Sequence, residues 1–140
     1  MNVKNNFYRI GQAAKLSGVN APTIRYYEQA GLIQAGTRSE NDYRVYDDSD
    51  IHLLKFVRLC RSFDIPLADV KTLIGLDLKV KGDCDTARDT LDKHLNSVAQ
   101  QLRELKRLEH ELKHLRMRCE GDTDRCKIIE ALHQNADSLN

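Results

Sequence analysis

Three of the four cysteines in this 140-residue chain stand at positions that could hold a metal ion. Cys84 begins a long polar segment with a stripe of leucines, and Cys119 and Cys126 follow the end of that segment. Without a secretory signal, cysteines indicate metal or redox chemistry rather than a disulfide framework. The fourth, Cys60, lies on an apolar helical stripe and is predicted to be a buried, inert thiol.

The segment between Cys84 and Cys119 is predicted to be a single helix. Its apolar residues recur mostly at alternating intervals of four and three, which is the pattern of a coiled-coil seam. No turn signal interrupts the segment, so a hairpin folded back on the rest of the chain is disfavoured and a second copy of the chain is the predicted partner. The stripe consists of Ala87, Leu91, Leu95, Val98, Leu102, Leu105, Leu108, Leu112 and Leu115.

The cysteine positions predict that the two helices of this homodimer run antiparallel. At ~1.5 Å per residue, the helix between Cys84 and Cys119 spans roughly 50 Å, so one straight chain cannot bring them together. In an antiparallel dimer, Cys84 of one protomer lies beside Cys119 and Cys126 of the partner subunit. Two sites with three thiolates each result, which suit cadmium, lead, mercury or zinc. The alternative is a redox pair of Cys119 and Cys126, with Cys84 incidental.

Aromatic residues divide the chain, since all three Phe and all five Tyr lie between Phe7 and Phe63. A compact domain needs bulky core residues, whereas a coiled coil does not. The predicted domains are a globular head at 1–76, a linker at 77–83, a dimerisation helix at 84–118, and a metal-binding loop and tail at 119–140.

Several classes of protein are excluded by composition. No apolar run approaches ~20 residues and no signal peptide is evident, so we expect a cytoplasmic protein that does not span a membrane. The chain has neither a Ser/His/Asp set nor a catalytic carboxylate pair and is not predicted to be an enzyme. The net charge of +1 gives no overall basic signal, so any DNA contact must depend on where the charges lie.

The head is predicted to contain a helix-turn-helix with a wing. A first helix from Tyr8 to Ser17 and a second from Ala21 to about Gln29, capped by Asn20, have the spacing of this motif. A hairpin with Arg38 and Arg44 near its tip follows. The predicted continuation is a third helix from Asp48 or Ser49 to about Phe63, with Phe63 on its inward stripe, and a fourth from Pro66 to Gly75.

The second helix carries side chains suited to a DNA major groove. Arginine offers a fork for phosphate or guanine, and tyrosine hydroxyls can bond phosphate oxygens. The alternative is that both tyrosine rings belong to the core and the arginine is merely solvated. The candidate DNA contacts in the head are Thr23, Arg25, Tyr26, Tyr27, Arg38, Arg44, Tyr46 and Arg61.

Three segments resemble the head of MerR-family transcriptional regulators: YRIGQAA at 8–14, TIRYYE at 23–28 and YRVY at 43–46. The resemblance implies a mainly α fold with a winged helix-turn-helix head, a long antiparallel coiled-coil dimerisation helix, and a short metal-binding loop and helix at the C-terminus. The cysteine layout is similar to that of the cadmium/lead-responsive branch. It implies that Cys84, Cys119 and Cys126 bind Cd(II) or Pb(II).

The same resemblance implies a mode of regulation. A homodimer binds a pseudo-palindromic operator in double-stranded promoter DNA and represses without metal. Metal binding then distorts the DNA so that RNA polymerase can engage the promoter of metal-resistance genes. A zinc- or mercury-responsive regulator of the same family is the first alternative. A thiol redox switch is the second, although the chain lacks the C-x-x-C pair beside a βαβ pattern that such a switch would need.

Overall fold

The computed structural model describes residues 6–34, 43–119, 121 and 125–139. This part of the chain is mainly helical, with an N-terminal helix-turn-helix and a later long helix, which confirms the predicted fold class. The chain divides into two compact units, Met1–Leu91 and Asp92–Asn140. The elements in order are β1 (Phe7–Arg9), α1 (Ile10–Ser17), α2 (Ala21–Gln29), β2 (Val45–Asp47), α3 (Asp48–Ser62), α4 (Leu67–Ile74), α5 (Lys81–Met117) and α6 (Lys127–Asp137).

The first helix begins later than predicted, because residues 7–9 form a strand. β1 pairs antiparallel with β2 and places Tyr8 opposite Tyr46. The helix α1 starts at Ile10, and the side chain of Gln12 accepts the backbone N–H of Arg9 at 3.4 Å to close its first turn. The extended stretch near residue 45 was predicted correctly, but β1 is its partner. The tip of the predicted hairpin, including Arg38, lies outside the described residues.

The turn between α1 and α2 follows from two residues. Gly18 takes the left-handed conformation (φ 75°), which a side chain would disfavour, and its N–H donates to the carbonyl of Ala14 at 2.9 Å. Two residues later the side chain of Asn20 accepts the N–H of Thr23 at 2.9 Å and caps α2. The predicted bounds of α2 are therefore confirmed.

The cap of α3 is Asp47 rather than Asp48 or Ser49. Its carboxylate accepts the N–H of Asp50 at 2.9 Å, and the carboxylate of Asp50 accepts the N–H of Asp47 at the same distance. Hydrogen bonds from the Ser49 hydroxyl and from the Asp50 N–H hold the pKa of Asp47 below its usual value. At the other end of α3, Phe63 is exposed, so its predicted place on the inward stripe was wrong.

One hydrophobic core joins α1, α2, β2, α3 and α4 in the first unit. Residues without exposed surface come from each of these elements: Ala13, Ile24, Tyr46, Leu54, Val57 and Val70. Cys60 is also buried, as predicted, and burial raises the pKa of its thiol. The core holds α2 against its neighbours and fixes which face of that helix meets solvent.

Candidate metal site and candidate DNA interface

Cys84 lies in the first turn of α5, in the first unit. The helix begins at Lys81, inside the segment predicted as a linker, and the N–H of Cys84 donates to the carbonyl of Val80 at 3.3 Å. The thiol is exposed and free. A rigid helical backbone therefore presents this sulfur to solvent.

Cys119 and Cys126 flank the connection between α5 and α6, in the second unit. Cys119 follows the end of α5 by two residues, and its N–H donates to the carbonyl of Arg116 at 3.1 Å. Cys126 is the N-cap of α6, and its thiol makes no capping hydrogen bond among the described residues. Between them Gly121 has a φ of 81°, which permits a tight turn. Both thiols are exposed and free.

These three thiols fit a soft metal ion by their chemistry. Thiolates select thiophilic ions, and the four-coordinate ion Zn²⁺ would need a further ligand. Within the part of the chain that the structure describes, no three Cys, His, Asp or Glu side chains come together as a metal-binding group. Almost the whole of α5 lies between Cys84 and Cys119 along the chain.

The leucine stripe on α5 meets solvent. Throughout α5, all of which the structure describes, no side chain is buried. Burying a leucine side chain stabilises a protein by roughly 1.5–3 kcal/mol, so an exposed stripe of this length favours a partner. The large apolar residues left exposed along it are Leu91, Leu95, Val98, Leu102, Leu105, Leu108 and Leu112.

The candidate DNA contacts on α2 fall into an exposed and a buried set. Arg25 is exposed, Tyr26 is 54% exposed, and Thr23 is half-buried near the helix start. Tyr27 is buried among the core residues. The side of α2 that carries Arg25 and Tyr26 is thus the one available to a large ligand.

Tyr46 has no exposed surface, which removes it from the direct DNA contacts that we predicted. Its hydroxyl donates to the carboxylate of Glu28, whose side chain is 3% exposed and also pairs with Arg44. Burial, and then the hydrogen bond to Glu28, hold the pKa of Tyr46 well above its usual value. Tyr27 and Tyr46 are thus core residues that lie beneath the exposed side of α2.

A basic cleft, which the sequence reasoning missed, lies beside the exposed side of α2. Four cations line it together with Gln12 and Tyr43: Arg9, Lys15, Arg25 and Arg44. The guanidinium of Arg9 stacks over the ring of Tyr43 at 4.5 Å from its centroid. Pairing of the short strands β1 and β2 places Arg9 opposite Val45, the neighbour of Arg44 in the chain. Strands of three residues are too short to show a periodicity in the sequence.

The remaining predicted contact, Arg61, lies on α3. Its side chain is exposed, and its Nη1 donates to the carbonyl of Ile65 at 2.9 Å. This bond holds the guanidinium near the start of α4, and Arg61 is absent from the residues that line the basic cleft.

Among the described residues, no helix is both long enough and apolar enough to cross a membrane.

Comparison with known proteins identifies the class of the chain. Residues 8–75 match the family model "MerR HTH family regulatory protein", and residues 51–115 match the model "MerR, DNA binding". The chain is 35% identical over 133 residues to heavy metal-dependent transcription regulator 2 of Rhizobium meliloti, which covers 94% of this chain and 90% of that protein. It is 33% identical over 127 residues to the mercuric resistance operon regulatory protein of Bacillus cereus, an alignment that covers 89% of this chain and 96% of that protein.

A solved structure is similar along most of the chain. The transcription regulator PbrR691 from Ralstonia metallidurans CH34, in complex with lead(II), superposes with a TM-score of 0.78 at 33% identity, covering 89% of this chain and 98% of that one. These relatives are transcription regulators and not enzymes, which confirms the prediction that the chain is not an enzyme. The chain belongs to the MerR helix-turn-helix family of regulatory proteins.

Proposed function

We propose that this chain is a heavy-metal-sensing transcription regulator that represses a metal-resistance promoter without metal and activates it when Cd(II) or Pb(II) binds. The observation that carries the proposal is the set of three free, exposed thiols at the two ends of α5: Cys84, Cys119 and Cys126. The relative named for heavy-metal dependence and the relative crystallised with lead(II) support a metal as the signal.

The metal site of the proposal is shared between two chains. Two copies of α5 bury their leucine stripes against each other in an antiparallel homodimer, and Cys84 then meets Cys119 and Cys126 of the partner subunit. Each dimer carries two such sites. The exposed stripe and the incomplete ligand set within the described part of one chain support this arrangement.

The DNA interface of the proposal is the exposed side of α2 together with the basic cleft. Arg25 and Tyr26 reach a groove of the pseudo-palindromic operator, and Thr23 lies at the helix start beside them. Arg44 contacts the backbone while Glu28 holds its guanidinium, with Arg38 and Arg61 as further cations. Phosphate contacts of this kind make affinity fall with salt even when the net charge of a protein is near zero.

Metal must favour one dimer conformation over another if it is to switch transcription. Ligation between protomers supplies such a preference, because Cys84 stands at the start of α5 and is drawn towards the loop of the partner. The resulting shift of the two heads distorts the operator so that cytoplasmic RNA polymerase can engage both promoter elements.

Two alternative functions require different things of the same three cysteines: a regulator that responds to another metal, and a thiol redox switch. The mercuric relative keeps a mercury-responsive regulator open, and a zinc-responsive one would need a fourth ligand such as a histidine or water. A thiol redox switch would require Cys119 and Cys126 to form a disulfide, with Cys84 dispensable. The requirement for Cys84 therefore separates metal sensing from the redox reading.

The experiment is a promoter-output panel with cadmium, lead, zinc, mercury and copper side by side. Replacing Cys84, Cys119 or Cys126 with Ser should abolish induction in each case, whereas Cys60→Ser, at the buried thiol, serves as the control. Operator binding in gel shifts should survive all of these changes. Normal induction in the Cys84→Ser variant would contradict the proposal.

A further inference from the structure

Two imidazoles stand next to each other on α5, away from the three exposed thiols in the sequence. His110 and His114 are four residues apart, and their ring centroids lie 4.5 Å from each other with the ring planes at 70°. Side chains at this spacing share one face of a helix. Both residues are exposed, so a dissolved ion can reach them.

The separation of the rings suits chelation of one metal ion. A histidine nitrogen binds zinc at about 2.0–2.1 Å, which places the ring centroid roughly 3.2 Å from the metal. Two rings bound at ~90–110° then have centroids about 4.5–5.2 Å apart, and the observed 4.5 Å agrees with this range. Two histidines at i and i+4 of a helix are also the pair that holds zinc in the H-E-x-x-H motif.

The residues around the two histidines determine which further ligands a bound metal ion could have. A recess lined by Glu111, Leu115, Arg118 and, from α6, Asn135 contains both histidines. The carboxylate of Glu111 lies 3.3 Å from the guanidinium of Arg107 and is engaged there. No third Cys, His, Asp or Glu joins the pair in the described part of the chain, so water would complete the coordination of a bound ion.

The pair lies on the opposite side of α5 from the leucine stripe. At ~100° per residue, His110 and His114 point about 160° and 200° away from Leu112 around the helix. A second chain packed on the stripe would therefore leave both rings accessible. The pair remains usable in the monomer and in the proposed dimer.

We propose that His110 and His114 form a second metal site, for borderline divalent ions such as Cu(II), Ni(II) and Zn(II). Neutral imidazoles prefer these ions, whereas the three thiols prefer soft ones. Affinity at the histidine pair should follow the order in which Cu(II) binds more tightly than Ni(II) and Zn(II), and Ni(II) more tightly than Co(II). The proposal does not depend on which ion the thiols sense.

The test uses the full chain with Cys84, Cys119 and Cys126 all replaced by Ser, so that Ni(II) or Zn(II) cannot bind the exposed thiols. Calorimetric titration of this parent should show one ion per chain. His110→Gln and His114→Gln should each weaken binding by at least about tenfold, which is ~1.4 kcal/mol. His52→Gln, at an exposed histidine of α3, is the matched control and should bind as the parent does.

Each outcome decides the proposal. Loss of binding in the two α5 variants alone supports the site, and circular dichroism would show that their helix content is unchanged. Unaltered binding in both variants would overturn it, as would equal loss in the His52→Gln control. Because the exposed thiols are absent, failure here leaves the proposed thiolate sensor untouched.

Discussion

The hydroxyl of Tyr46 donates a hydrogen bond to the carboxylate of Glu28 and so fastens strand β2 to helix α2. Arg44, two residues before Tyr46, pairs with the same carboxylate. Glu28 is thereby kept buried and satisfied, and the side of α2 that carries Arg25 keeps a fixed relation to the cleft. The stability of the head and the shape of its basic surface depend on the same group.

Tyr46→Phe should destabilise the head at pH 7 by roughly 1–3 kcal/mol, because it leaves a buried carboxylate oxygen without its donor. The wild type should also lose stability from about pH 10 upwards. The unfolded tyrosine ionises near pH 10, whereas the folded one, whose pKa is raised, holds its proton to higher pH. Urea unfolding of both proteins at pH 7 and pH 10.5, at one protein concentration, measures this.

The alkaline effect has its own internal control. Other ionising groups affect both proteins alike, so only the difference between wild type and Tyr46→Phe reports on this hydroxyl. That difference should shrink as the pH rises past 10. A difference that stays constant between the two pH values would contradict the assigned role of the bond.

Asp47→Ala should lower the free energy of unfolding by about 1 kcal/mol, since it removes the cap of α3. Asp47→Asn should cost less, because asparagine is also a good N-cap. The lowered pKa of Asp47 means that its stabilisation is present above its unfolded pKa near 4 and is lost as the pH falls through its folded pKa. Denaturant titrations at pH 7 and pH 3 should therefore show the cost of Asp47→Ala falling at low pH.

Arg25→Ala should weaken operator binding by about 1–3 kcal/mol and reduce the dependence of binding on salt. A duplex selected by the wild-type protein from a random pool supplies the probe for fluorescence anisotropy at several salt concentrations. Tyr26→Phe should have a smaller effect, because only its hydroxyl is lost. Arg107→Ala, at an exposed cation of α5 paired with Glu111, is the control.

Measuring metal binding by Arg25→Ala shows whether weaker operator binding comes from a lost DNA contact or from a misfolded protein. Arg25→Ala should bind Cd(II) as the wild type does, since the thiols stand elsewhere in the chain. Operator binding equal to wild type in Arg25→Ala would remove this residue from the interface.

Leu105→Glu should disrupt the dimer, because it puts a charge in the middle of the leucine stripe, where the wild-type side chain is 61% exposed in the single chain. A cost of ~3 kcal/mol or more would raise the dissociation constant at least about 100-fold. Arg103→Glu changes the charge by more but lies on the far side of the helix, so it should leave the dimer intact. Sedimentation velocity across a concentration series distinguishes the two, and a dimeric Leu105→Glu would argue against this seam.

Elements with strong local signals were the ones that sequence reasoning could predict. Asn20 and Gly18 mark the ends of α2 and α1 by capping chemistry, and the leucine spacing marks α5 over many turns. Predictions failed where long-range pairing decides the structure. Residues 7–9 form a strand only because β2 lies beside them, so a local pattern read Tyr8 as helical.

The residues of the candidate sites also differ in whether the sequence alone could predict them. The three cysteines stand out by type and spacing, and the structure finds their thiols exposed while Cys60 is buried. By contrast, the burial of Tyr46 depends on the fold of the whole head and could not be inferred from its alternation with Arg44 and Val45. Arg9 and Lys15 were missed because separate elements bring them into the cleft.

The central claim is that each metal site is built from two chains, and subunit mixing tests it most directly. One protein carries Cys84→Ser and the other carries Cys119→Ser with Cys126→Ser, so neither homodimer has a complete site. In a mixed dimer, the intact Cys84 of the second protein meets the intact Cys119 and Cys126 of the first.

Thiolate-to-metal absorbance with Cd(II) or Pb(II), measured before and after co-refolding of the two proteins, is the decisive measurement. The account predicts little absorbance from either protein alone and one restored site in each mixed dimer, with mixed dimers counted by native mass spectrometry. Mixed dimers that form but show no more absorbance than their parents would contradict it.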